Sequence, residues 1–170
     1  MDNYDKIIKI LNDLKISFEE IEHPISHSCE ESKAFRDASW LKWLWSKNII
    51  FHCKWEFYLV TTHWDKQIKA RNFKHEFGSK DIRFAYQEEI TSLIASTIWS
   101  IPPFWFNNDN LRIYVDCEIF ESDYFIFNPS IPTKSIRIST ESLKNVYSYL
   151  PNIIKYFTHK DEIFEISENI

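Results

Sequence analysis

The apolar positions near the start of the chain repeat with a helical period. Ile7, Ile8, Leu11 and Leu14 fall three and four residues apart, so residues 3–15 are expected to form an amphipathic helix. Residues 18–22 read as a short strand that the His23-Pro24 pair ends. Ser28-Cys29-Glu30-Glu31 has capping-box form and opens a helix near residues 29–37. Two apolar runs, 48–54 and 57–62, flank Lys54-Trp55-Glu56 and read as a hairpin with a short connection. Trp64, Ile68 and Phe73 suggest a helix ending at Gly78 in a left-handed cap. A strand at 82–85 and a helix at 87–95 follow, the helix with acidic residues in its first turn. After the stiff segment Ile101-Pro102-Pro103-Phe104, strands are expected at 111–117, 124–127 and 135–138. Ser139 then caps a last helix carrying Leu143, Val146, Tyr147 and Leu150, which Pro151 ends. Residues 158–170 are polar and expected to be a loosely held tail.

This order of elements predicts a mixed α/β (α+β) fold: a single domain over residues 1–157, with helices packed on a mixed β-sheet and 158–170 as the tail. A repeating βαβ wheel does not fit. Composition narrows the classes. The 170 residues are 44% hydrophobic and 17% aromatic, enough for a large core and too apolar for a disordered chain. A single glycine means that left-handed turns must use other residues. The net charge of −5 excludes a strongly basic nucleic-acid module for the chain as a whole. Lys66, Lys69, Arg71, Lys74 and Lys80 form a local cluster, read as a solvated helix face against the alternative of a basic docking surface. Cys29, Cys53 and Cys117 are odd in number and widely spaced, as reduced thiols in a cytoplasmic protein would be. The charged, amphipathic N-terminus does not read as a signal peptide, and no apolar run approaches the ~20 residues of a membrane span.

Most familiar chemistries find no residues here. His23 and His27 stand four apart, but Pro24 breaks the helix that such a zinc pair needs, and HExxH is absent; no metal is expected. One glycine cannot build a glycine-rich phosphate loop, and no GxSxG elbow occurs. Cys29 with His27 is a conceivable thiol pair, weighed against an ordinary cysteine. Three quieter features remain. Lys47-Asn48 directly precedes the apolar run at 49–51; a lysine at a strand start offers three charged donors to a phosphate or ribose, or is a plain surface lysine. Ser100 to Phe104 is a rigid loop or simply a helix terminator. Asn128-Pro129, with Thr133 to Ser135 close behind, is a pocket wall or a turn.

Taken in order, these pieces resemble the YbaK/ProX family, the prolyl-tRNA synthetase-associated or INS-type editing domain. The resemblance runs from about Tyr4 to Leu150. It rests on Phe18-Glu-Glu-Ile-Glu-His-Pro24, Ser28-Cys-Glu-Glu-Ser32, Lys47-Asn-Ile-Ile-Phe51, Ile82-Arg-Phe-Ala-Tyr-Gln-Glu-Glu-Ile90, Trp99-Ser-Ile-Pro-Pro-Phe104 and Asn128-Pro-Ser-Ile-Pro-Thr-Lys-Ser-Ile-Arg-Ile-Ser139. Proteins similar to this one hydrolyse the ester between a wrong amino acid and its tRNA, often tRNA for proline carrying alanine or cysteine, without metal or other cofactor. The resemblance implies that Lys47 holds the terminal adenosine and its phosphate and that Asn48 bonds near the ester. Trp99, Ser100, Ile101, Pro102 and Pro103 would wall the amino-acid pocket, and Asn128, Pro129, Thr133 and Ser135 would complete the substrate site. Water would attack the carbonyl, helped by the substrate's own 2′-hydroxyl.

Three positions depart from the family pattern: Trp99 stands where relatives have glycine, Asn128 where they have histidine, and Pro132 where they have asparagine. Two readings follow. One is an active deacylase whose pocket is reshaped, working in trans on a mischarged tRNA carrying a small amino acid. The other is an inactive relative that binds tRNA or an aminoacyl-tRNA synthetase. The implied partners are aminoacyl-tRNA and, in the second reading, a synthetase; DNA and membrane are not. The sequence names neither the amino acid nor the tRNA. The seven tryptophans, Trp40, Trp43 and Trp45 among them, are core or a docking patch.

Overall fold

The computed structural model describes residues 1–26, 29–39 and 44–170. The readings made on His27, Ser28, the Cys29 side chain, Trp40 and Trp43 fall outside the described residues. Helix α1 (Asn3–Asp13) starts where the Asp2 side chain accepts from the Asp5 N–H, and its Ile7, Ile10 and Leu11 are buried. Strand β1 (Glu19–Glu22) and helix α2 (Cys29–Ala38) follow. Strands β2 (Leu44–Cys53) and β3 (Glu56–His63) form the expected hairpin, four residues longer at its start than the apolar run suggested. The short helix α3 (Lys74–Phe77), strand β4 (Ile82–Phe84) and helix α4 (Gln87–Ile94) come next. Strands β5 (Arg112–Asp116), β6 (Tyr124–Phe127) and β7 (Lys134–Ser139) lead to helix α5 (Thr140–Tyr149), and β8 (Ile154–Lys160) and β9 (Ile163–Ser167) close the chain.

The strands build one nine-stranded mixed sheet in the order β1-β7-β6-β2-β3-β5-β8-β9, with β4 also on β2. Strand alternation divides it into two faces. On the first, Ile50, Leu59, Ile113, Phe125 and Ile136 join Ile7 and Leu11 of α1, Ile90 and Ile94 of α4, and Leu143 and Val146 of α5 in the main core. On the second, Phe51, Tyr58, Tyr114 and Phe157 pack against Phe73 and Phe77. The rest of the second face lies beneath α2. No described side chain of α2 is buried, and the space it leaves over β6, β7 and the start of β2 is the cavity described below.

Two sequence expectations fail. The helix expected to begin near Trp64 is helical only at Ala70–Phe73 and in α3, where Phe73 and Phe77 bury. Upstream, the Trp64 N–H extends the hairpin by donating to the Trp45 carbonyl, and the Lys66 side chain turns inward to Asp116 and Glu118. Those contacts hold the segment as a loop, but its end is as expected: Gly78 caps α3 at φ 72°. The polar tail at 158–170 is instead largely hairpin, β8 with β9. Its average polarity hides an alternating pattern that places Phe164 against Phe73 and Phe157, at 4.9 and 5.7 Å between ring centroids.

Candidate functional site: a cleft where the sheet parts

Strand β2 changes partners along one edge. Leu44 and Trp45 pair with Phe125 and Ile126 of β6, whereas Phe51 to Cys53 pair with β4. Residues 46–50 have no register partner on that side, and the Ala85 N–H reaches the Ile50 carbonyl at the far end of the gap. A cavity of about 870 Å³ opens here, of the size that receives small ligands. Trp45, Lys47, Ile126 and Ser135 line it from the sheet, Phe35 and Arg36 from α2, and Ile98, Trp99 and Ile101 from the loop after α4. The Arg36 guanidinium lies 3.6 Å from the Trp64 ring centre, joining α2 to the loop after β3.

Alternation sends Lys47 and Asn48 to opposite faces of the sheet, yet both line the cavity because it runs through the gap beside β2. The Lys47 ammonium donates to the Lys66 carbonyl at 2.8 Å. Lys66 is held in turn: its own ammonium meets Asp116 Oδ2 at 2.7 Å and Glu118 Oε2 at 2.9 Å. Thr62 donates to the same Asp116 oxygen, and His63 Nε2 lies 3.2 Å from Glu118 Oε1. Burial lowers the Lys66 pKa, but the hydrogen bonds and charges of the two carboxylates outweigh it and the net shift is upward. The Lys66 hydrogen bond likewise holds Glu118 below the usual carboxylate range. Lys66 is thus no solvated lysine: its side chain is only 11% exposed, and that of Asp116 1%.

Asn48 works on the loop after α4. Its Nδ2 donates to the Ile101 carbonyl at 3.1 Å and to Ser46 Oγ, while its Oδ1 accepts from the buried Thr61 hydroxyl at 2.8 Å. The same loop is fixed from behind. Ser100 Oγ bonds with the Ser96 and Thr97 hydroxyls, and the Tyr147 hydroxyl donates to the Pro103 carbonyl. Trp99 stands at the mouth, 54% exposed. It borders the cleft.

At the other end, His23 and Ser135 meet. His23 Nδ1 lies 3.0 Å from the Pro24 carbonyl and Nε2 2.9 Å from Ser135 Oγ, with the Phe35 ring 4.6 Å from the imidazole. Asn128 Nδ2 donates to the Ile131 carbonyl, while its Oδ1 is buried without a hydrogen-bond partner. Among the eleven sequence-predicted residues, then, Lys47, Asn48, Trp99, Ile101, Asn128 and Ser135 line one cavity. Ser100, Pro102, Pro103, Pro129 and Thr133 do not line it: the first four are buried behind it, and Thr133 accepts the His23 N–H on its carbonyl. Sequence reasoning missed His23 as a partner of Ser135 and missed the α2 wall of Phe35 and Arg36. The His-Pro pair was the only signal for the first; no motif signalled the second. Among the described residues, no group of three or more His, Cys, Asp or Glu side chains could hold a metal, and no helix is long and apolar enough to cross a membrane.

Three solved structures share this fold. A scaffold protein from a computational epitope-grafting study matches with a TM-score of 0.72 at 13% identity, over 96% of this chain and 99% of its own. A hypothetical protein matches with a TM-score of 0.72 at 15% identity, over 94% and 99%. A candidate trans-editing enzyme for prolyl-tRNA synthetase matches with a TM-score of 0.69 at 16% identity, over 91% and 95%. No curated protein matches the chain. The model of the aminoacyl-tRNA editing domain matches residues 23–146, from the His23 wall of the cleft through β2, the loop after α4 and Ser135 into α5. The chain therefore belongs to the aminoacyl-tRNA editing domain family.

Proposed function

We propose that the cleft hydrolyses the ester of a mischarged tRNA in trans, releasing a small amino acid such as alanine from a tRNA of the proline type. The observation that carries this reading is the convergence, in one cavity, of a lysine, a fixed carbonyl loop and the Asn128 side chain. Lys47 is the cation for the terminal adenosine and its phosphate, as a compact charge on a flexible stem. The Ile101 carbonyl, fixed by Asn48, is an acceptor for the ammonium of the amino acid. Trp99 at the mouth limits the size of the side chain that enters.

An aminoacyl ester is already reactive, so positioning supplies much of the rate, and the proposed chemistry needs no metal. In the net reaction water adds to the acyl carbon, the bond to the ribose oxygen breaks, and that oxygen leaves with a proton. The test is deacylation of several mischarged tRNAs by wild type and Trp99→Gly. A pocket excludes larger side chains better than smaller ones, so Trp99→Gly should widen the range of amino acids removed. An unchanged range would remove Trp99 from the pocket wall. The second reading, an inactive relative that holds tRNA or a synthetase, rests on the departures at Trp99, Asn128 and Pro132. Its mark is tRNA binding with no hydrolysis of any substrate.

A further inference from the structure

We infer that the mouth of the cleft holds the unpaired nucleotides next to the terminal adenosine, with a base stacked on Phe84 and a phosphate at Lys69. The inference rests on the deacylase reading above and goes beyond it by naming a second contact surface for the same RNA. It begins from a ring that the fold leaves half in water. Strand β4 is three residues long and pairs only with β2, where Phe84 is the register partner of Phe51. The two rings stack, with 5.2 Å between centroids and 25° between planes. Phe51 is fully buried and packs against Phe73 and Phe77, so the lower ring is fixed. Phe84 lies flat on it with 57% of its surface in solvent. One face of the ring is taken and the other is offered, as in the platforms on which unpaired bases stack.

The position of this ring decides what it offers itself to. Phe84, Ile98 and Trp99 are each about half exposed, and all three border the cavity that Lys47 also lines. Single exposed apolar residues are ordinary, but an apolar group at the mouth of a cavity marks a contact surface. The cation lies on the same rim. Gln67 and Ile68 line the cavity, and the next residue, Lys69, is exposed. Lys66 is neutralised by Asp116 and Glu118, whereas among the described residues the Lys69 ammonium meets no carboxylate. Arg71 and Lys74 border a separate hollow with Glu76 and Glu162 and are outside the proposal.

These two features select the occupant. An apolar protein segment would match the ring and leave the ammonium unmatched. A single RNA strand matches both, since its bases stack without regard to sequence and its phosphates attract cations. The strand also has a reason to pass here, because the nucleotide bound inside the cleft is its last one.

The experiment compares two substrates on the full chain: a mischarged tRNA, and the same amino acid esterified to adenosine alone, which lacks the neighbouring nucleotides. The proteins are wild type, Phe84→Leu, Phe84→Trp, Lys69→Gln and Tyr149→Leu. Phe84→Leu keeps an apolar cover over Phe51 without a ring. Tyr149 is a similarly exposed ring on α5, on the main-core side of the sheet, and serves as the control. Phe84→Leu should lower kcat/KM on tRNA by roughly 5–150-fold, the range of one lost stacking contact, while Phe84→Trp and Tyr149→Leu hold it. None of the variants should change the rate on the adenosine ester. Binding of uncharged tRNA, read by fluorescence anisotropy, should weaken in Phe84→Leu by the same factor. Lys69→Gln should reduce the slope of log affinity against log salt by about 0.7; an unchanged slope removes the phosphate contact. An equal loss on both substrates makes Phe84 merely structural and overturns the platform. Hydrolysis by wild type with unchanged binding and rate in Phe84→Leu overturns the platform and leaves the deacylase reading intact. Weaker tRNA binding in Phe84→Leu, with no tRNA hydrolysed by wild type, supports the platform and overturns the deacylase reading instead. A Phe84→Leu protein that keeps its affinity for tRNA and loses affinity for purified prolyl-tRNA synthetase makes this face a protein contact and overturns the proposal.

Discussion

At the scale of single residues, Lys66 shows what the sequence could not disclose. It was one of five basic residues assigned to a solvated face, and its neighbours in sequence say nothing of Asp116, fifty residues on. The fold brings them to 2.7 Å with the Asp116 side chain 1% exposed. Lys66→Met therefore strands a buried carboxylate, and should destabilise the domain by about 3–5 kcal/mol, the usual effect of breaking a buried pair. It should also weaken the function of Lys47, whose ammonium rests on the Lys66 carbonyl. Urea unfolding gives the first value; the second is read as a lower kcat/KM for tRNA in the folded fraction. A loss of less than about 1 kcal/mol, the range of exposed pairs, would show that the network is solvated. The scarcity of glycine, by contrast, was legible. Left-handed turns must fall on other residues, and Lys15, Lys54, Ala95, Trp105, Ser130, Asp161 and Glu162 all have positive φ.

At the scale of elements, hydrophobic period located α1, the β2–β3 hairpin, α4, the strands β5 to β7 and α5, because each buries one regular stripe. It failed for β8–β9, where polar residues outnumber apolar ones, and for the segment after β3, where side-chain contacts and not period decide the backbone. Two elements carry predictions. Asn48 ties β2 to the loop after α4, so Asn48→Ala leaves the fully buried Thr61 hydroxyl and the Ile101 carbonyl without their partner. The expected loss is about 1–3 kcal/mol by chemical denaturation; no loss would mean the loop is held from behind alone. At the start of α4, Glu89 takes two hydrogen bonds from Arg83 and one from the Tyr86 N–H, and chiefly the Arg83 bond lowers its pKa from 4.5 to about 2. A depressed carboxylate stabilises fully above its unfolded pKa and loses that effect as pH falls through the folded one. The stability gap between wild type and Glu89→Gln should thus be constant above 4.5 and close as pH falls towards about 2. A gap that widens on acidification contradicts this.

At the scale of the whole molecule, the cleft exists because β2 serves two neighbours along one edge and has no register partner there along residues 46–50. Motif order announced Lys47, Asn48, the 99–103 loop and the Asn128 to Ser135 stretch, and the fold brings members of each to one cavity. Which members face it was not legible. A loop of prolines and serines looks alike from either side, and only the bonds of Ser100 to Ser96 and of Pro103 to Tyr147 reveal the buried side. The α2 wall was equally hidden, since no described side chain of α2 is buried to mark it. The central claim, that this cleft hydrolyses aminoacyl-tRNA with Lys47 as its phosphate-binding cation, is tested most directly by one assay: deacylation of a panel of mischarged tRNAs by wild type, Lys47→Ala and Lys47→Arg, each shown to be folded. Wild type should release a small amino acid, Lys47→Ala should be inactive, and Lys47→Arg should recover only part of the rate, since a planar fork does not replace a compact ammonium. Full activity in Lys47→Ala, or no hydrolysis of any tRNA by wild type, would contradict the account.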